Sequence, residues 1–136
     1  MKKILLFLML ILITSPCYSK WVKIREEKRF SEYIEIDSVK KRNDFIYLWS
    51  MLDYKKTNIS GNLSVKYYSK YNCSKMKYKI ISIIEYTTSM GKGRNFTYTK
   101  NLTNETDEST ELNWKQPLPD SPDYDRLVYV CNPKKK

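Results

Sequence analysis

The chain has 136 residues, with 25 Lys+Arg against 15 Asp+Glu and a net charge of +10. This length fits one domain. The complete absence of histidine removes serine triads, Cys–His nucleophiles and nearly all catalytic zinc sites. With 12 tyrosines and only 3 glycines, the chain is neither disordered in composition nor equipped with a glycine-rich phosphate cradle.

The chain opens as an export signal. Lys2 and Lys3 precede an unbroken apolar run, Ile4 to Ile13, and Pro16 then breaks the helix. Cys17 and Ser19 are small residues at −3 and −1 of a cut before Lys20, the three-part pattern of a secretory leader. The run is too short to span a bilayer, which takes about 20 residues. A lipid anchor on Cys17 is the alternative, but Thr14 and Pro16 stand where a lipidation signal wants a Leu-like and a small residue. The expected organisation is a leader over 1–19 and one domain over 20–136, with a mature net charge of +8 once Lys2 and Lys3 are gone. No transmembrane segment is expected after cleavage. Cleavage also removes Cys17, leaving Cys73 and Cys131. Two cysteines in an exported chain read as one disulfide, with two free buried thiols as the alternative.

Most of the mature chain alternates with period two and is rich in β-branched and aromatic residues, which predicts strands. Trp21–Arg25 is a first short strand, and Arg25 to Arg29 a charged turn. Phe30–Ile36 follows, with Asp37-Ser38 as its closing turn. Asp44–Tyr54 is the most apolar strand. It has Phe45, Tyr47, Trp49 and Met51 on one face and Ile46, Leu48 and Leu52 on the other, which predicts a central strand covered on both sides. Lys55–Asn62 reads as a loop. Leu63, Val65, Tyr67, Tyr71 and Cys73 then share one face, with Ser64, Lys66, Lys70 and Asn72 on the other. In the next strand Met76, Tyr78, Ile80, Ile84 and Tyr86 oppose Lys75, Lys77 and Lys79. Met90-Gly91-Lys92-Gly93 is a turn, and Arg94–Thr99 a hairpin partner with Phe96 and Tyr98 inward. Asn101–Glu111 is polar and reads as an exposed loop.

The end of the chain changes character. Ser121-Pro122-Asp123 combines a hydroxyl cap, a first-turn proline and an acid, which predicts a helix start. Tyr124, Leu127, Val128 and Cys131 form its apolar stripe, a last strand over Arg126–Cys131 being the alternative. No heptad or internal repeat sets an oligomeric state.

Lys66, Lys70, Lys75, Lys77 and Lys79 fall on two neighbouring strands and are the candidate binding residues. Side by side they would attract an anionic polysaccharide or an acidic protein surface. The bland alternative is a solvated strand face. Export disfavours nucleic acid. The acids Asp107, Glu108, Glu111, Asp120, Asp123 and Asp125 lie on a loop and a helix start, where acids are expected, so no catalytic pair, metal or cofactor is expected.

Several framework positions recur in a known order. They are the early Trp21, Tyr33 to Asp37-Ser38, the Phe45–Tyr54 strand around Trp49, and Ser64-Val65-Lys66 leading to Tyr71-Asn72-Cys73. Gly91-Lys92-Gly93, Trp114, Pro117, Pro119-Asp120-Ser121 and Val130-Cys131 complete the series. From Trp21 to Cys131 the chain resembles the surface-adhesin protein E family of bacterial exported proteins. The resemblance implies an α+β fold, a small antiparallel sheet with a short C-terminal helix tied to it by Cys73–Cys131. It also implies non-enzymatic binding of host extracellular-matrix protein at the cell surface. The alternative is a periplasmic structural or assembly protein whose partner is another bacterial protein.

Overall fold

The computed structural model describes residues 19–99 and 114–132. Among these, seven strands and one α-helix follow one another: β1 (Trp21–Glu26), β2 (Phe30–Glu35), β3 (Lys40–Arg42), β4 (Phe45–Tyr54), β5 (Ser64–Asn72), β6 (Lys77–Thr88), β7 (Lys92–Thr99) and α1 (Pro122–Cys131). The strands form one antiparallel sheet in the order β1-β2-β4-β5-β6-β7. The short β3 pairs with Phe45–Tyr47 of β4, along the edge that β2 occupies further on. The expected leader, the expected loop Asn101–Glu111 and the side chain of Tyr98 lie outside the described residues.

The helix starts as its sequence dictates. Ser121 Oγ accepts the Tyr124 N–H at 3.2 Å, Pro122 opens the first turn, and Asp123 and Asp125 sit where the helix dipole favours negative charge. Leu127 and Val130 bury against Ile34, Leu48, Tyr71 and Tyr78 on one sheet face. The disulfide Cys73–Cys131 joins the end of β5 to the end of α1, with Cα atoms 5.5 Å apart.

The helix is turned relative to the predicted stripe. Tyr124 and Val128 are only half-buried, and Arg126 is buried in their place. Its guanidinium donates to Glu32 Oε1 and Asp123 Oδ1, both at 2.7 Å, while Tyr78 donates to Asp123 Oδ2 at 2.7 Å. Glu32 occupies an inward slot of β2 between Phe30 and Ile34. An ion pair thus stands at the centre of the helix–sheet contact. A second one, Arg25–Asp125, follows from a bulge in β1: the register skips Ile24, and Arg25 comes to lie opposite Glu32 on the helix side.

Two further expectations are corrected. In β6 the register shifts, with Tyr68 opposite Ser82 and Ser69 opposite Ile80. The unpaired Ile81 switches the faces, so Tyr78 and Ile80 point to the helix while Ile84 and Tyr86 point away from it. Phe96 is not inward but 55% exposed, because β7 is the edge strand beyond the helix. Finally, β4 is central and covered on both sides, as expected: the helix packs on one, while on the other Met51 is wholly buried, the Ser89–Gly91 turn packs over the Asp53 end and Trp114 stacks on Phe45.

Candidate functional site

The helix-free face of the sheet carries aromatic residues in rows. Register places Tyr47 and Trp49 of β4 beside Lys70 and Tyr68 of β5, and Lys70 beside Lys79 of β6. At the centre Tyr68 packs between Trp49 and Tyr47, with ring centroids 5.1 and 6.3 Å away. At one end Lys66 Nζ lies 5.1 Å from the Trp21 ring and 5.0 Å from that of Tyr86. At the other end Lys70 Nζ sits 3.8 Å above Phe45. Lys77 and Lys79 lie 5.1 and 5.4 Å from Trp114, which itself stacks on Phe45 at 6.0 Å. Trp114 is held there by a backbone bridge in which Lys115 N–H donates to Tyr78 O at 2.7 Å and Tyr78 N–H donates to Lys115 O at 3.0 Å.

The cations therefore rest on ring faces, an attraction worth about 0.5–1 kcal/mol each at exposed sites. Lys66 is half-buried. Burial lowers its pKa, and the charge of Glu35 partly restores it. Its stem crosses Gly91 so closely that an added Cβ would come within 2.3 Å of Lys66 Cε. The tight turn beneath is fixed by Asp53 Oδ1 accepting the Met90 N–H at 2.7 Å and Ser64 Oγ accepting the Gly91 N–H at 2.9 Å.

Of the candidate residues, Lys66, Lys70, Lys77 and Lys79 share this face. Lys75 does not. Strand β5 ends at Asn72, and Lys75 stands exposed in the turn to β6, its N–H donating to Asn72 Oδ1 at 3.1 Å. The turn needs a left-handed residue, which Met76 supplies with φ 47°, so the period-two count of lysines breaks there. Sequence reading missed that Trp21, Tyr86 and Trp114 join this face. The first two are brought in by pairing register and the third by the bridge to β6. On the helix side a hollow of about 330 Å³ is lined by Tyr67, Ser69, Lys115, Asp123 and Arg126, among others. Its Asp123 and Arg126 belong to the helix anchor. Among the described residues, no group of three or more Cys, Asp or Glu is arranged to hold a metal ion.

The model of the family described as Surface-adhesin protein E matches residues 21–132. The chain belongs to the surface-adhesin protein E family. Its fold is also that of solved members. Crystal form II of Haemophilus influenzae protein E aligns with a TM-score of 0.60 at 15% identity, covering 85% of this chain and 99% of that one. A second structure of Haemophilus influenzae protein E gives 0.57 at 13% identity, over 88% and 89% of the two chains. Protein E from non-typeable Haemophilus influenzae gives 0.55 at 15%, over 86% and 78%. No curated protein sequence matches the chain. At these identities the likeness to the solved structures establishes the fold of this adhesin-E chain. Its binding chemistry has to be argued from its own residues.

Proposed function

We propose that this adhesin-E chain is an exported, non-enzymatic binding protein of a bacterial envelope, in the periplasm or at the cell surface. Its helix-free face takes an acidic partner: a host or extracellular-matrix protein, or a polyanionic chain. One observation carries the reading. Register sets Lys70 and Lys79 directly opposite each other, so both lysines project from the same face of the sheet. Lys66 and Lys77 extend the same positive row over aromatic rings. Cations gathered over aromatic rings on one face of a sheet suit an acidic partner, which such a patch attracts through its field. Family membership supports the adhesin-like reading.

Heparin is a suitable probe. Changing Lys66, Lys70, Lys77 and Lys79 together to glutamine is expected to weaken heparin binding at least tenfold and to flatten its salt dependence. Each change forfeits about 0.5–1 kcal/mol of ring contact, which together stays below the roughly 5–15 kcal/mol typical of a domain, so the fold should persist. Lys75→Gln alone, in the turn, is expected to leave affinity within about twofold. Unaltered heparin affinity in the fourfold variant would refute the proposal.

Export is proposed to proceed by cleavage before Lys20, without lipid. The backbone nitrogen of Lys20 lies 3.2 Å from Asp37 Oδ2, so the new ammonium would meet a carboxylate at once. Intact mass of the exported protein checks this. A chain beginning at Cys17 with a diacylglyceryl addition is the contrary result.

A further inference from the structure

A cleft of about 960 Å³ opens at the end of the sheet, away from the lysine–aromatic face, between the β1–β2 turn and the β4–β5 loop. Its floor is the cross-strand pair Phe30 and Tyr54, set edge to face with ring centroids 6.3 Å apart. One wall carries Lys28 and Arg29, the other Lys56 and Ile59. The walls are tied together by Lys55 N–H donating to Arg29 O at 3.0 Å.

Two features of the cleft lack an explanation in folding. The first is Ile59, whose side chain is wholly exposed at 108%. It is not carried on a slack loop. Gly61 N–H donates to Asn58 O at 2.9 Å, and Asn58 Oδ1 accepts the Asn62 N–H at 2.9 Å, so a closed turn presents the isoleucine to solvent. The second is charge. Neighbouring cations are neutralised: Lys23 and Lys55 both hold Glu26 at 2.7 Å, and Arg25 holds Glu27 at 3.6 Å and Asp125. Hydrogen bonds from Lys23, Lys55 and Ser31 pull the Glu26 pKa down to about 2, so its charge stays committed to them. Among the described residues, no carboxylate lies within ion-pair reach of Lys28, Arg29 or Lys56.

We propose that this cleft binds an anionic amphiphile. Its apolar chain lies on Phe30, Tyr54 and Ile59, and its phosphate or carboxylate head is held by Lys28, Arg29 and Lys56. The volume is that of a small-molecule site. Neither half of the cleft accounts for the other: a bare anion leaves the apolar wall wet, and an uncharged apolar ligand leaves three cations unmatched. A ligand carrying both parts uses all of it.

Octyl phosphate is the probe, with octanol and inorganic phosphate as its two halves. The intact domain is expected to bind octyl phosphate at least tenfold more tightly than either half. Amide shifts are expected to be confined to residues 28–30 and 54–60. Lys28→Gln, Arg29→Gln and Lys56→Gln together, and separately Ile59→Ser, are each expected to weaken it about tenfold. All four positions are in turns or loops, so folding is checked simply by an unchanged thermal midpoint. The glutamine variant of Lys66, Lys70, Lys77 and Lys79 should bind the probe as the parent does, which separates this site from the lysine–aromatic face. Phosphatidylglycerol vesicles that carry the protein down, and release it to octyl phosphate, would identify a lipid as the source. Tight octyl phosphate binding without vesicle binding would identify a free amphiphile, and either result supports the site. Equal affinity for inorganic phosphate, shifts centred elsewhere, or full affinity in both cleft variants would overturn it.

Discussion

Arg126→Met is expected to destabilise the domain by about 3–5 kcal/mol, read as a lower urea midpoint at an unchanged slope. Glu32 is 1% exposed, and its Oε1 takes a 2.7 Å hydrogen bond from the Arg126 guanidinium. Removing the guanidinium leaves the carboxylate buried, opposite Leu52 in the sheet, with no full counter-charge. Arg25 Nε, at 3.9 Å, is too distant to replace a direct bond. The pair itself is a different matter. Taking two charges out of water costs about as much as their attraction returns, so Glu32→Leu with Arg126→Met should recover most of the loss. The double-mutant cycle then isolates a coupling between residues 94 apart in sequence. A single-variant cost below about 1 kcal/mol would show that water already reaches the pair.

The same pair marks where the sequence stopped being legible. Ser121-Pro122-Asp123 marks the helix start and apolar spacing puts Leu127 on its buried side, but spacing weighs apolar residues alone, and the helix turns Arg126 and Val130 inward where Tyr124 and Val128 are expected. An available signal was Glu32, an acid in the inward alternation of Phe30, Glu32 and Ile34, which demands a buried cation somewhere. Its partner on α1 could not be named without the three-dimensional register. Strand β3 was missed because Lys40, Lys41 and Arg42 are all exposed and show no alternation. It is a strand because β4 offers a free edge, a tertiary cause. The helix-free face was half legible. Period two correctly grouped Lys66 with Lys70, and Phe45 with Tyr47 and Trp49. It could not reveal the Ile81 bulge, which sends Tyr86 to join Lys66, or the turn that takes Lys75 away. The cleft cations were overlooked for a plainer reason. Lys28-Arg29 and Lys55-Lys56 sit in turns, where charge needs no explanation until the two turns are seen to face each other.

Loss of the Cys73–Cys131 disulfide, by reduction or by replacing both cysteines with serine, is expected to cost about 4 kcal/mol and about 15 °C of thermal midpoint. The closed loop spans a sequence separation of 58, and cross-linking it removes chain entropy from the unfolded state. Against a total of roughly 5–15 kcal/mol for a domain, that is a large share. Because the bond acts mainly on the unfolded chain, the reduced protein should keep its strand pairing. Its urea slope should rise slightly, since the unfolded chain is then less compact. Thiol labelling fixes the starting point: no reactive thiol in the denatured, unreduced exported protein, and two after reduction. Two thiols before reduction would refute the bridge in the exported form. The two losses should also not add. Cys131 and Arg126 fasten the same ten-residue helix to the same sheet. Once one fastening is gone, the helix detaches more readily and the other has less left to hold. Reduced Arg126→Met is therefore expected to lose less than the sum of the separate costs, with the shortfall measuring how far α1 docks as a single unit.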